Sequence, residues 1–217
     1  MIKRFVFDGN KIATLREKIK NTRSDLDRPT SFEAVSALIW GAILAIAREN
    51  NESAPAVSIP VNLRKRMNPP LPEHCIGNII HSATANWLTD EEIDLNSLTR
   101  NIREAVKMVS DTDYVRKVYA GDSFVNQLKK ISEEIANIKV RMFGLSSWRG
   151  LPYYEIDFGW GRPRWVSTVI RVNDVAILLD AFDGKGIEVW VALPHKDMAK
   201  FQQDVGILTY ASFNPSL

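Results

Sequence analysis

The chain has 217 residues, of which 45% are hydrophobic and 25% charged, and its formal net charge at pH 7 is +2. This length suits one sizeable domain, and the charge is too small to indicate a nucleic-acid-binding protein. The single cysteine, Cys75, excludes an internal disulfide and fits a reducing compartment. The longest uncharged stretch, 34–47, falls short of the roughly 20 residues that cross a bilayer, so we expect a soluble, cytoplasmic protein with no membrane partner.

The first half of the chain alternates between strand-like and helical patterns. In chain order these are a strand at 2–7, a helix with apolar residues at 12, 15 and 19, a long helix from 30 to about 50, a strand at 56–62, a proline loop at 69–72 and a strand at 76–87 interrupted by Gly77. Apolar and polar residues alternate over 2–7 as in a strand, and the apolar core of a signal peptide does not open the sequence. Thr30 and Glu33 have capping-box spacing, and the helix after them is apolar almost all round, which predicts a buried position.

The second half begins with two amphipathic helices and continues with strands. In chain order these are a helix over 98–109, a helix with apolar residues at 124, 128, 131, 135 and 138, strands at 143–148, 165–172, 176–182 and 187–193, and a short helix after Pro194. Asp183 and Gly184 predict a hairpin turn between the last two strands. The sum is a single α/β domain with a mixed sheet and flanking helices.

No complete catalytic set stands out among the residue types that carry chemistry. The three histidines, His74, His81 and His195, have no partner at metal-ligand spacing, so no metal is expected. Glu155 and Asp157 would share one face if they lay on a strand, which leaves acid–base work open beside the commoner interpretation, a salt-bridged or solvated strand edge.

A dense local motif lies at 157–161, with the sequence DFGWG, followed by Arg162 and Pro163. Glycine permits positive φ or a close backbone approach, and the indole of Trp160 supplies a large anchor. From the residues alone, the motif predicts a structural bend, in which Asp157 would need a cationic partner if it were buried.

The same run resembles the C-terminal signature of the BAHD acyl-CoA-dependent acyltransferases. Other blocks match that family in order and together cover essentially the whole chain. These blocks are KRFVFD at 3–8, TSFEAVSALIW at 30–40, Asn62 to Arg64 with the proline loop, Gly77 with Asn78, and the hairpin at 183–190. The proline loop and Asn62 to Arg64 are similar to the branch that contains alkaloid acetyltransferases. The chain is therefore identified as resembling the C-terminal half of such an enzyme.

The resemblance implies a domain like chloramphenicol acetyltransferase, paired with a similar N-terminal half. In the family, the histidine of an HxxxD motif on that N-terminal half acts as the general base, and acyl-CoA is the co-substrate. The windows that begin at the three histidines end in Asn78, Ala85 and Ala199, so the motif is absent and no catalytic residue is expected here. No bound cofactor is expected either, and the partners are acyl-CoA, a small-molecule acceptor and a missing N-terminal half.

The resemblance also assigns roles to individual residues. The structural group comprises Asp157, Phe158, Gly159, Trp160 and Gly161, with Asp157 paired to Arg64 on the earlier strand. The CoA-channel candidates are Asn78 and Gly77 by resemblance, and Thr30 and Ser31 because they open a helix whose N-terminal amides can face an anionic group. The alternative for all four residues is ordinary turn and capping duty. The acceptor-pocket candidates are Trp148, Arg149 and Gly150. Members that use carboxylate-bearing acceptors have arginine where this chain has Gly150, so a neutral or cationic alcohol is expected.

Three functional hypotheses remain open at this point. The first is that the chain is a piece of an enzyme that transfers an acyl group, with acetyl expected, to a hydroxyl or amine of a specialised metabolite such as an alkaloid or similar alcohol. The second is a non-catalytic relative that binds CoA or a protein, and the third is the complement of a separately encoded N-terminal half. The discriminating expectation is a large apolar face that the other half would cover and that is exposed in this chain; a fully polar surface would contradict the half-enzyme hypothesis.

Overall fold

The computed structural model describes residues 1–21, 28–72, 74–88, 91–119, 141–170 and 172–213. The strands are β1 (Ile2–Phe7), β2 (Ala56–Asn62), β3 (Ile80–Ala85), β4 (Met142–Ser147), β5 (Val175–Asp180), β6 (Ile187–Ala192) and β7 (Ala211–Phe213). The helices are α1 (Gly9–Asn21), α2 (Ser31–Glu49), α3 (Leu95–Val109), α4 (Thr112–Tyr119), α5 (His195–Phe201) and α6 (Val205–Tyr210), with a 3-10 turn at Tyr153–Glu155.

The strands of the described residues form one seven-stranded mixed sheet in the order β3-β2-β4-β5-β6-β1-β7. Three neighbouring strands, β2, β4 and β5, are parallel to one another, and the remaining neighbours are antiparallel. Parallel neighbours need long crossovers, and α3 lies in the connection between β2 and β4. The predicted α/β class with a mixed sheet and flanking helices is confirmed.

Helix α2 lies in the core of the fold. By length and composition it could cross a membrane, with a mean hydropathy of 1.5 in its most apolar stretch, yet 72% of that stretch is buried inside the protein. Its Trp40 is fully buried, donates its indole N–H to the carbonyl of Pro55 at 2.9 Å, and meets Trp87 edge-on at 6.1 Å. The helix is therefore a core helix, as its all-round apolar pattern predicted.

The two faces of the sheet are covered in different ways. One face carries the helices and the main core, to which β1 contributes Phe5 and Phe7. Alternate residues of the central strands point to the other face, where Ile177, Leu179 and Trp190 form a second, smaller apolar cluster. This second face, which we call the back face, is covered by the segment 148–170, and that segment forms no strand.

Several predicted elements differ from the structure at their limits. Strand β3 begins at Ile80 and not at 76, because Cys75 and Gly77 are held by Arg64 through their carbonyls. Residues 165–172 were predicted as a strand, but the described part, 165–170 with 172, has no strand partner and lies over the back face. The predicted helix at 124–138 falls outside the described residues. Helices α4 and α6 and strand β7 were not predicted.

Candidate functional site

The parallel strands β2, β4 and β5 end at one edge of the sheet, in Asn62, Ser147 and Asp180. Ligands of open sheets commonly bind at the carboxyl ends of such strands. Two cavities open along this edge: Ser147 lines the larger one, and Gly150, three residues farther along the chain, lines the smaller one. The end of β4 therefore separates the two candidate sites.

The larger cavity, of about 680 Å³, lies between the start of α2, the end of β2 and α3. It is lined by Thr30, Phe32, Glu33, Ile59, Pro60, Val61, Asn62, Arg66, Arg103, Val106, Lys107, Ser110 and Ser147. Three of these residues are cationic and one is acidic, so the lining is net positive. We call this space the basic cavity.

The start of α2 is fixed by a capping box at the mouth of the basic cavity. Glu33 N–H donates to Thr30 Oγ1 at 3.2 Å, and Thr30 N–H donates to Glu33 Oε2 at 2.7 Å, as predicted. Arg103 of α3 donates to both oxygens of the same carboxylate, at 2.9 and 2.8 Å. Burial by itself raises the pKa of Glu33, but the bonds from Arg103 and Thr30 outweigh it and lower that pKa overall.

The predicted CoA-channel residues are only partly brought together. Thr30 lines the basic cavity, whereas Ser31, Gly77 and Asn78 are not among its lining residues. Gly77 and Asn78 are exposed at the end of the proline loop, where Gly77 has φ of 135°. The cations Arg66, Arg103 and Lys107 line the basic cavity but were not predicted as site residues. The available signal was the chain order, in which β2 is followed by the loop that carries Arg66 and then by α3.

Arg64 closes the proline loop by binding main-chain carbonyls. Its Nε donates to the carbonyl of Cys75 at 3.0 Å, and its Nη2 donates to the carbonyl of Gly77. Its own carbonyl accepts from the N–H of Leu71 at 3.0 Å, and its Nη1 donates to Asn62 Oδ1 at 3.4 Å. Arg64 therefore stabilises the closed conformation of its own loop.

The predicted ion pair between Asp157 and Arg64 is wrong for the described chain. Asp157 is exposed, and its Oδ1 accepts from the N–H groups of Gly159 at 2.8 Å and Gly161 at 3.0 Å. These two bonds, that from Gly159 first, lower the pKa of Asp157. Both glycines have φ near 100°, at 101° and 105°, which side chains rarely adopt. The carboxylate thus organises its own turn, and Glu155 and Asp157 share no strand face.

The aromatic residues of the same motif are exposed. Phe158 is 72% exposed and Trp160 is 83% exposed, and their rings stack at 5.7 Å with an interplanar angle of 28°. Ile76 of the proline loop, at 96%, and Val169 of the back-face segment, at 84%, are also exposed. The continuous apolar face expected from the sequence stays a prediction, because these values describe single exposed side chains.

The smaller cavity, of about 400 Å³, lies between the turn after β4 and the hairpin from β5 to β6. It is lined by Gly150, Leu151, Pro152, Tyr153, Tyr154, Glu155, Arg162, Leu179, Asp180, Ala181, Phe182, Asp183 and Gly184. Its three carboxylates outnumber its one arginine, and aromatic rings form part of its wall. We call it the acidic cavity.

Of the three acceptor-pocket candidates, Gly150 alone lines the acidic cavity. Arg149 lies beside it and is paired with Asp180, Nε to Oδ1 at 2.6 Å, while the N–H of Gly150 donates to Asp180 Oδ2 at 2.7 Å. Trp148 is half-buried and packs on Tyr153 at 5.8 Å, in the back-face cluster. Asp183, at the tip of the predicted hairpin, accepts from the N–H groups that follow it.

A buried polar group under the back-face segment was missed by the sequence analysis. Arg4 of β1 and Glu188 of β6 form an ion pair at 2.9 Å, with side chains 6% and 3% exposed. The hydroxyl of Tyr154 donates to the second oxygen of Glu188 at 3.1 Å, and burial followed by the Glu188 charge raises the pKa of that hydroxyl. The available signal for this buried pair was that Arg4 and Glu188 each lie within a strand pattern, Arg4 on the face opposite Phe5.

Groups suited to metal binding or to nucleophilic attack are not assembled in the part of the chain that the structure describes. No group of three or more His, Cys, Asp or Glu side chains there is placed so that it could hold a metal ion. His81 lies edge-on to Tyr114, with ring centroids 5.7 Å apart, and burial lowers its pKa. Cys75 is half-buried in the proline loop.

Comparisons with known proteins place these features in context. A family model described as the Transferase family matches residues 1–208. A limonoid 1-O-acetyltransferase of Citrus sinensis is 47% identical over 221 residues, which is 100% of this chain and 50% of that protein. The chain thus spans about half the length of the curated relatives that it matches.

Solved structures share the fold. Vinorine synthase superposes with a TM-score of 0.76 and 28% identity, over 98% of this chain and 48% of that one. The crystal structure of TRI101 from F. sporotrichioides, complexed with coenzyme A and T-2, has a TM-score of 0.74 at 17% identity, over 98% of this chain and 51% of that one.

Proposed function

The chain belongs to the Transferase family, that of the BAHD acyltransferases, and from that premise we propose that it is one half of an enzyme that transfers an acetyl group from acetyl-CoA to a hydroxyl group of a specialised metabolite. The observation that carries this proposal is the basic cavity at the start of α2, beside the end of the parallel strands. The cytosol is its proposed compartment, since the lone Cys75 requires no oxidising environment.

The basic cavity suits the phosphate groups of CoA. The charge of Glu33 is balanced by Arg103, which leaves the positive charges of Arg66 and Lys107 for a ligand. Arg66 is oriented by Ser110, whose Oγ accepts from its Nη1 at 2.8 Å. The first turn of α2 adds the positive end of its helix dipole, which also favours an anion.

The acidic cavity suits the acceptor. Its excess of carboxylates disfavours an anionic ligand, and the guanidinium of Arg149, beside the cavity, is engaged by Asp180. A neutral polycyclic alcohol meets aromatic walls there and can donate its hydroxyl groups to carboxylates. Because the 47%-identical relative is named a limonoid acetyltransferase, we propose a limonoid or similar terpenoid alcohol before an alkaloid.

The general base of the proposed reaction comes from outside this chain. The acceptor O–H must lose its proton as the oxygen attacks the thioester carbonyl, and the CoA thiolate then leaves as the tetrahedral intermediate collapses. No HxxxD sequence is present in the 217 residues to supply that base. We therefore expect the isolated chain to bind CoA and to lack acetyl transfer.

A second candidate function is a non-catalytic module that binds CoA or a protein. It is favoured by one observation: described residues of this chain line the basic cavity, while the HxxxD motif is absent from its 217 residues. The two candidates share CoA binding and differ in whether a complementary half restores acetyl transfer.

Titration calorimetry with acetyl-CoA tests the proposed CoA site on the chain itself. The double variant R66A/K107A should weaken binding about tenfold or more, because two charges that face the phosphates are lost. The matched control K185A removes an exposed lysine from the β5–β6 hairpin and should bind as the wild type does. Equal affinity for R66A/K107A and the wild type would contradict this CoA site.

A further inference from the structure

The segment that follows β4 forms one wall of the acidic cavity, and Asp180 at the end of β5 holds the start of that segment in place. The two oxygens of this carboxylate bind different groups. Oδ1 accepts from Nε of Arg149 at 2.6 Å, and Oδ2 accepts from the N–H of Gly150 at 2.7 Å. Asp180 itself lines the cavity. One carboxylate therefore fixes both a guanidinium beside the cavity and the main chain of the cavity wall.

The wall is open at Gly150. This glycine has φ of 77°, and a Cβ there would have no described atom within 4 Å beyond those of its chain neighbours. The adjacent Arg149 has a side chain that is 31% exposed, and its Nε touches a residue of the lining. Because the guanidinium already lies against the lining, its release from Asp180 would make its charge available to a ligand in the cavity.

The carboxylates of the acidic cavity differ in what they bind. Of the three, Asp180 is the one that is paired with an arginine in the part of the chain that the structure describes. Asp183 instead accepts from the N–H groups of Lys185 and Gly186 in its own hairpin, at 2.9 and 3.0 Å. With Asp180 neutral, the two arginines at the cavity would balance its two remaining carboxylates. The charge on Asp180 thus decides whether an anionic ligand meets net repulsion.

From these contacts we propose that Asp180 is the positioning residue that makes the acidic cavity selective for uncharged acceptors, because it occupies the guanidinium of Arg149. The inference rests on the proposed function, which places the acceptor in this cavity. A free guanidinium binds a carboxylate through two charge-assisted hydrogen bonds, so its release would favour an acceptor that carries a carboxylate. Selectivity of this kind comes from an unfavourable element set against the wrong ligand.

The test compares two terpenoid probes with the same ring skeleton, perillyl alcohol and perillic acid, on the full 217-residue chain at pH 7. The acid is ionised at this pH, and NMR titration gives the dissociation constant of each probe. Asp180→Asn keeps the size of the side chain and removes its charge. It should lower the ratio of the dissociation constant of the acid to that of the alcohol about tenfold or more, with little change for the alcohol.

Two matched variants separate the release of Arg149 from a change in net charge. D183N removes one negative charge from the same cavity, as D180N does, but releases no arginine, so it should lower the ratio less than D180N. R149M/D180N has the same net charge as the wild type and lacks the guanidinium, so its ratio should return close to the wild-type value. A ratio as low as that of D180N in either variant would overturn the inference.

Three other results would also overturn the inference. They are an unchanged ratio in D180N, a lowered ratio in D180E, which keeps the charge, and no binding of the alcohol by the wild type. Acetyl transfer to perillyl alcohol tests the proposed function separately, with the chain mixed with the complementary half of the Citrus sinensis limonoid 1-O-acetyltransferase. Turnover together with an unchanged ratio in D180N contradicts the inference alone, and a shifted ratio without turnover contradicts the proposed transfer alone.

Discussion

Arg103 binds both carboxylate oxygens of Glu33, at 2.9 and 2.8 Å, while Glu33 closes the capping box with Thr30. The pair joins α3 to the first turn of α2 across the basic cavity. We expect Arg103→Ala to lower the free energy of unfolding by about 1–3 kcal/mol, because it leaves a largely buried carboxylate without its charged donor.

Urea unfolding measures that difference, and Glu17→Ala provides the control. Glu17 pairs with Arg28 at 3.1 Å, but both side chains are about half exposed, at 47% and 52%. Exposed pairs of this kind contribute about 0–1 kcal/mol. Equal destabilisation by the two variants would show that the Arg103–Glu33 pair contributes no more than a surface contact.

The lowered pKa of Glu33 predicts a pH dependence of stability. A carboxyl whose pKa is lower in the folded than in the unfolded chain stabilises the fold above its ordinary value of 4.5, and this contribution is lost as pH falls through the lower, folded value. The wild type should therefore exceed Glu33→Gln in unfolding free energy at pH 7, by an amount that shrinks below pH 4.5. A difference that stays constant, or grows, from pH 7 to pH 3 would contradict the assignment.

The buried pair of Arg4 and Glu188 predicts strong non-additivity. Arg4→Met should destabilise the fold by about 3–5 kcal/mol, because the Glu188 carboxylate stays buried without its partner. The double variant R4M/E188L should recover most of that loss, since no charge is left uncompensated. Thermal unfolding of both single variants and the double variant measures the coupling, and additive losses would argue against a tight buried pair.

The different roles of Asp157 and Arg64 predict unequal effects on stability. Arg64→Ala removes the donors to Cys75 and Gly77 that close the proline loop, so the melting temperature should fall measurably. Asp157→Ala removes only bonds inside an exposed turn, and its melting temperature should stay close to that of the wild type. Differential scanning calorimetry distinguishes this from the ion pair expected from family resemblance, for which both variants would lose similar stability.

The sequence predicted the parts of the fold that depend on local pattern. The capping box at Thr30, the buried helix after it and the hairpin at Asp183 all have short-range signals, and all are present. Residues 165–170 have the composition of a strand. A strand also needs a neighbouring strand with unpaired backbone groups, and the periodicity of one segment cannot show whether such a neighbour exists. The segment instead covers the back face.

The candidate site was predictable only in part for a related reason. Thr30 was found because its role is local, whereas Arg66, Arg103 and Lys107 meet only through the packing of α3 against β2 and its loop. Asp157 was assigned a distant partner, but the N–H groups of its own turn compete for the carboxylate and lie closer. Which donor an acid binds depends on geometry that the residue types do not record.

Acetyl transfer from acetyl-CoA to a limonoid alcohol, followed by mass spectrometry, tests the central claim most directly. The 217-residue chain is assayed alone and after mixing with the complementary half of the Citrus sinensis limonoid 1-O-acetyltransferase. We expect acetylated product from the mixture and none above background from the chain alone, because the general base lies outside these residues. Product from the chain alone would contradict the claim that this half binds CoA but lacks the base.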